Sequence, residues 1–130
     1  MLLALAGAAP ASDWHPAADN DLFSPLRRGD PQATGAPQCA ATDSAGRILT
    51  SYGEADAFTA MRIGVRLVRF RKAGIAAAVH RFRAREGLLT IALGRPVAQH
   101  EESLGYRATL TFTDRNGRAH VASVRLDCGA

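Results

Sequence analysis

The sequence predicts an α+β fold, one long helix packed on a four- to five-stranded antiparallel meander behind a Pro/Ala-rich N-terminal arm. Three observations carry this reading. Residues 51–74 combine a helix start signal, a stop signal and a polar stripe at helical spacing. After Gly74 the apolar period falls from 3.6 to 2. Residues 106–128 alternate apolar and polar side chains on both sides of an Asp-Arg-Asn-Gly turn.

The chain divides into three parts. Residues 1–11 are Leu/Ala-rich and end in Ala9-Pro10-Ala11, a small-x-small pattern that signal peptidase accepts. No Lys or Arg precedes the apolar run, so this is a signal-peptide remnant or an Ala-rich tail, and export is the preferred expectation. Residues 12–46 read as a flexible arm, because Pro16, Pro25, Pro31 and Pro37 recur among Ala, Asp and Gly. Trp14, Leu22 and Phe23 are among its large apolar residues. Residues 47–130 form the expected domain, and one core suits a chain of 130 residues.

The helix is expected to start at Ser51, three residues before Glu54, which is the spacing of a capping box. Arg69, Arg71 and Lys72 would lie at the negative end of its dipole, and Gly74 would cap it. Thr59, Arg62, Arg66 and Arg69 make one polar edge, while Ala57, Met61, Gly64, Val65 and Val68 lie opposite. The rival is a strand, since Met61, Ile63, Val65 and Leu67 also alternate with polar or small residues. Val68 and Phe70 break that alternation, so the helix is preferred.

Strands are expected near residues 47–50, 75–83, 88–93, 106–113 and 118–128. In the last pair, Tyr106, Ala108, Leu110 and Phe112 share one face, as do Ala122, Val124, Leu126 and Cys128. Matching those faces needs an odd-length loop, hence a bulge at Gly117. A helix followed by such a meander resembles the layout of the cystatin and NTF2-like folds. No cystatin inhibitory motif is present, and that layout serves inhibitors, binding modules and enzymes alike.

Charge is unevenly spread. The chain carries 16 basic and 12 acidic residues, a net +4. Between Ala57 and Arg85 there is no acid, and fifteen of the basic residues are Arg. Such a field attracts anions. The expected contact residues for an acidic protein or other polyanion are Arg62, Arg66, Arg69, Arg81, Arg83 and Arg107. Aromatic content of 6% leaves little for base stacking, which disfavours nucleic acid as the partner.

No apolar run reaches the roughly 20 residues a membrane helix needs. Two cysteines, Cys39 and Cys128, suit a disulfide in an exported domain, periplasmic or secreted. In the cytosol they would be unrelated free thiols.

Motifs for chemistry are sparse. His80, His100 and Glu101 could serve proton transfer in a small basic ribonuclease, with Arg81 and Arg83 holding phosphate. Their spacing does not demand it, and strand histidines are commonly structural. No cofactor motif, metal-ligand spacing, nucleophile elbow or Gly-rich phosphate loop is found. The sequence therefore points to a non-enzymatic, exported binding or assembly module, with the ribonuclease as the alternative.

Overall fold

A computed structural model of the chain describes residues 22–34, 37–100 and 103–129. The described residues form nine strands: β1 (Phe23–Ser24), β2 (Gln38–Thr42), β3 (Ile48–Gly53), β4 (Phe58–Ile63), β5 (Arg66–Ile75), β6 (Val79–Ala84), β7 (Gly87–His100), β8 (Ser103–Asp114) and β9 (Ala119–Gly129). All pair antiparallel in one sheet, in the order β1-β4-β5-β6-β7-β8-β9-β2-β3. The expected α+β fold with a long helix is incorrect, because between residues 23 and 129 the described chain contains no helix. No helix among the described residues is long and apolar enough to cross a membrane.

The stretch read as a helix is β3, the β4–β5 hairpin and the turns between them. The hairpin loop holds only Gly64 and Val65, with Ile63 paired to Arg66 and Met61 to Val68. Gly64 takes φ 67, the left-handed value that two-residue hairpin turns require. A two-residue loop makes paired positions sum to an odd number, so the inward parity changes across it. Thr59 and Met61 point inward before the turn, and Val68 and Phe70 after it. The break in alternation at Val68 is this phase change. Ser51 does not cap a helix; its hydroxyl accepts from the Ala33 amide at 2.8 Å.

The sheet curls into a nearly closed barrel. The end strand β3 and β4, which is next to the two-residue end strand β1, meet at a seam where the Thr50 hydroxyl donates to Ala60 O at 2.8 Å and the Thr59 hydroxyl to Ser51 O at 3.0 Å. The β1 segment bridges both sides, since Phe23 pairs with Ile63 and the Leu26 amide donates to Ile48 O. Thus residues 22–46, read as arm, contribute β1, β2 and this bridge. Residues 1–21, which hold the expected signal remnant and Trp14, lie outside the described residues.

Inward side chains fill most of the lumen. Phe70, Phe82, Leu89, Ile91, Leu110, Leu126 and Met61 are fully buried. The expected faces of β8 and β9 hold, with Leu110 and Phe112 inside beside Ala122, Val124 and Leu126. Loop residues 115–117 close with Gly117 at φ 83, and the Asp114 amide donates to Arg118 O. Cys39 and Cys128 are register partners on β2 and β9 and form a disulfide, with Cα atoms 4.0 Å apart. It ties together two neighbouring strands that lie 89 residues apart in sequence.

Candidate functional site

Strand alternation decides where each expected residue goes. On β6, His80 and Phe82 point into the barrel, and Arg81 and Arg83 point out. On β5, Phe70 points in and Arg69 and Arg71 out. The outer face of β5 and β6 therefore holds Arg69, Arg71, Arg81 and Arg83 together. Arg71 and Arg83 are direct register partners. Among the described residues, none of the four lies within salt-bridge distance of a carboxylate. The Arg69 guanidinium sits 3.9 Å from the centre of the Phe58 ring, and that of Arg71 5.2 Å. Arg71 was absent from the expected contact set, because a helix places it off the edge that a strand gives it.

The other expected contacts are placed differently. Arg62 is clamped by Asp30, with its Nε donating at 2.7 Å and its Nη2 at 2.9 Å. That hydrogen bond first, and the Arg27 amide second, hold the Asp30 carboxyl down at about 2. Arg62 thus staples the β1–β2 connection to β4 and is largely covered. Arg66 pairs with Glu86 at 2.9 Å, on the rim. Arg107 lies on the outer face of β8 opposite Arg125, away from β5 and β6. So the structure brings together Arg69, Arg81 and Arg83, adds Arg71, and separates Arg62, Arg66 and Arg107 from them.

Of the proton-transfer constellation, the sheet separates His80 from the expected phosphate holders Arg81 and Arg83. His80 is 7% exposed inside the barrel, and Arg81 and Arg83 lie on the opposite side of the sheet. The His100 side chain and Glu101 lie outside the described residues. The third histidine of the domain, His120, is bonded to Asp114 at 3.1 Å. Among the described residues no group of His, Cys, Asp or Glu is arranged to hold a metal ion.

A second feature was not expected. At the end of the barrel carrying the disulfide the lumen opens into a cavity of about 570 Å³. Lys72, His80, Leu93, Tyr106, Cys128, Cys39 and Tyr52 line it, one from each of seven strands. The Tyr52 hydroxyl and His80 Nδ1 are 2.6 Å apart. Burial pushes the Tyr52 phenol upward, so it keeps its proton. Burial, then the charge of Lys72, pulls His80 downward, so the imidazole is neutral. Lys72 Nζ donates to Gly53 O at 2.9 Å and Glu54 O at 3.0 Å. The signal for this cup was the polar residue at an inward β5 or β6 position, legible only once the strands are known.

Compared with family models, curated proteins and solved structures, the chain matches none of them.

Proposed function

We propose that the chain is a non-enzymatic binding module, exported to an oxidising compartment, whose outer β5–β6 face docks an acidic segment of a partner protein. The observation that supports this is the in-register Arg71–Arg83 pair, flanked by Arg69 and Arg81, with no carboxylate within salt-bridge distance among the described residues. Like charges set opposite one another repel. An external carboxylate that forks two guanidiniums relieves the repulsion and gains charge-assisted hydrogen bonds. Exposed Leu67 and Val65 continue the same edge and offer apolar contact that suits a protein. Phe58 is already covered by Arg69 and Arg71, which leaves it poorly placed to stack on a base. The Cys39–Cys128 disulfide supports the compartment, since such bonds persist where thiols are not kept reduced.

The test is fluorescence anisotropy with a labelled Asp/Glu-rich peptide at low and high salt, beside a single-stranded RNA of equal charge. The reading expects peptide binding that weakens as salt screens the contact and that Arg81→Glu/Arg83→Glu abolishes. Binding indifferent to that charge reversal, or tighter binding of the RNA, would overturn it.

A further inference from the structure

The cup at the disulfide end of the barrel has no part in the docking face, which lies on the outside of the sheet. Its shape is that of a small-molecule site. A volume of about 570 Å³ falls within the range of roughly 300–1,000 Å³ that such sites occupy. Its floor is closed, because the next inward layer, Phe70, Phe82, Ile91 and Leu126, is fully buried. Its walls are mainly apolar, from Ile75, Leu93, Tyr106 and the disulfide.

The polar groups in this apolar setting are few and convergent. Two tautomers of His80 are open. If Nδ1–H donates to the phenol, the Tyr52 proton and the Nε2 lone pair are both left without a partner. If the phenol donates to Nδ1, a single donor, Nε2–H, is left. Unpaired buried polar groups are costly, so the second arrangement is the stable one. Among the described residues Nε2 has no hydrogen-bond partner, although His80 as a residue is more than nine-tenths buried. Lys72 is half-buried and spends two of its three protons on the carbonyls of Gly53 and Glu54. No carboxylate lies within salt-bridge distance of its Nζ among the described residues. The cup therefore offers one cationic donor and one neutral donor, beside the oxygen of the Tyr52 phenol. Glu54 lies at the rim, exposed, where water screens it.

We propose that this cup binds a small amphipathic carboxylate, its head group on Lys72 Nζ and His80 Nε2 and its apolar body against Ile75, Leu93 and Tyr106. The head group supplies the acceptor that both donors lack, and the chain replaces water on the apolar wall. A neutral alcohol of equal length gains the wall but not the charge. A quaternary ammonium of equal length meets Lys72 with like charge.

The test is calorimetric titration of the whole oxidised chain with octanoate, octanol and octyltrimethylammonium near neutral pH. Saturable octanoate binding, one per chain and at least about tenfold tighter than either comparator, is expected. Lys72→Met should reduce octanoate affinity about tenfold or more and leave octanol unchanged. Glu54→Gln should tighten it slightly, and Arg81→Glu/Arg83→Glu should leave it unchanged, which separates this site from the docking face. Failure of octanoate to saturate the wild-type chain in the millimolar range overturns the proposal, whether or not the variants fold. Equal affinity for all three probes, or undiminished binding to folded Lys72→Met, overturns it too.

Discussion

Arg71 and Arg83 stand directly opposite each other across β5 and β6, both on the outer face of the barrel. Their guanidiniums repel in the free protein, and that repulsion is unrelieved by any nearby carboxylate among the described residues. Replacing one with a neutral strand former should therefore stabilise the fold while weakening the docking of an acidic partner. Arg83→Thr is expected to raise stability by about 0.5 kcal/mol, the scale of a cross-strand pair. Urea unfolding of the two proteins measures this. A clear loss of stability would show that Arg83 makes an internal contact that matters more than the repulsion.

Acid should weaken the fold in two stages. The first belongs to His80, whose folded pKa is lowered from 6.5 by burial and then by Lys72. The unfolded chain takes this proton more readily, so stability falls as pH drops below roughly 6.5. The second belongs to Asp30, lowered to about 2 from 3.8 chiefly by the Arg62 hydrogen bond. Its contribution is complete above roughly pH 4 and is lost as pH falls towards the folded value. Asp56, held by the Gly53 amide, and Asp114, held by His120, lose stability in the same direction. The urea midpoint followed against pH should lose its upper step in His80→Phe and show a smaller lower step in Arg62→Met. A profile that neither variant changes would remove the assignment.

Two glycines should respond differently to the same substitution. Gly64 turns the β4–β5 hairpin at φ 67, and a Cβ there meets open space. Gly64→Ala should cost about 1–2 kcal/mol, the strain of a left-handed residue alone. Gly87 begins β7 at φ 155, and its Cβ would lie 2.2 Å from Thr113 O and 2.9 Å from the Phe112 ring. Gly87→Ala must therefore push β7 from β8 or displace Phe112, and should cost more than about 3 kcal/mol. Thermal unfolding of the two variants orders them, and an equal loss in both would contradict the close approach.

How much of this was legible depended on the length of the turns. β8 and β9 are joined by an odd-length loop, so inward parity is conserved, and the alternation of Leu110, Phe112, Ala122 and Val124 reads plainly. The β4–β5 hairpin turns in two residues, and its parity shift makes Met61, Val68 and Phe70 mimic a helical face. The β2–β3 turn, by contrast, is spelled out in the sequence. Thr42-Asp-Ser-Ala-Gly-Arg47 repeats the pattern of Thr113-Asp-Arg-Asn-Gly-Arg118. Asp43 accepts from the amides of Ala45 and Arg47, just as Asp114 accepts from those of Asn116 and Arg118. Read as a hairpin turn, this repeat places β2 outside the arm. The arginine cluster was legible as composition but not as geometry, because Arg71 and Arg83 become neighbours only through the pairing of β5 with β6.

The seam between β3 and β4 offers a test of how the barrel closes. Thr50 and Thr59 are fully or nearly fully buried there, with their hydroxyl oxygens 2.5 Å apart. Each hydroxyl has one proton, yet three acceptors compete for the two: Ala60 O, Ser51 O and the partner hydroxyl. The pair therefore acts as one unit that latches each strand to the other where the sheet has no ladder. Thr50→Val leaves the Ala60 carbonyl and the Thr59 hydroxyl short of a partner in a dry site, which should cost about 1–3 kcal/mol. Thr59→Val should cost the same for the Ser51 carbonyl. Once one hydroxyl is gone the other has lost part of its function, so the double variant should cost less than the sum, by about 0.5–3 kcal/mol. Urea unfolding of the four proteins closes the cycle. Hydrogen exchange adds a local readout, since the Leu26 amide, bonded across the same seam to Ile48 O, should lose protection in each variant. Strict additivity with an unchanged Leu26 amide would mean that the β1 bridge closes the barrel without the threonines.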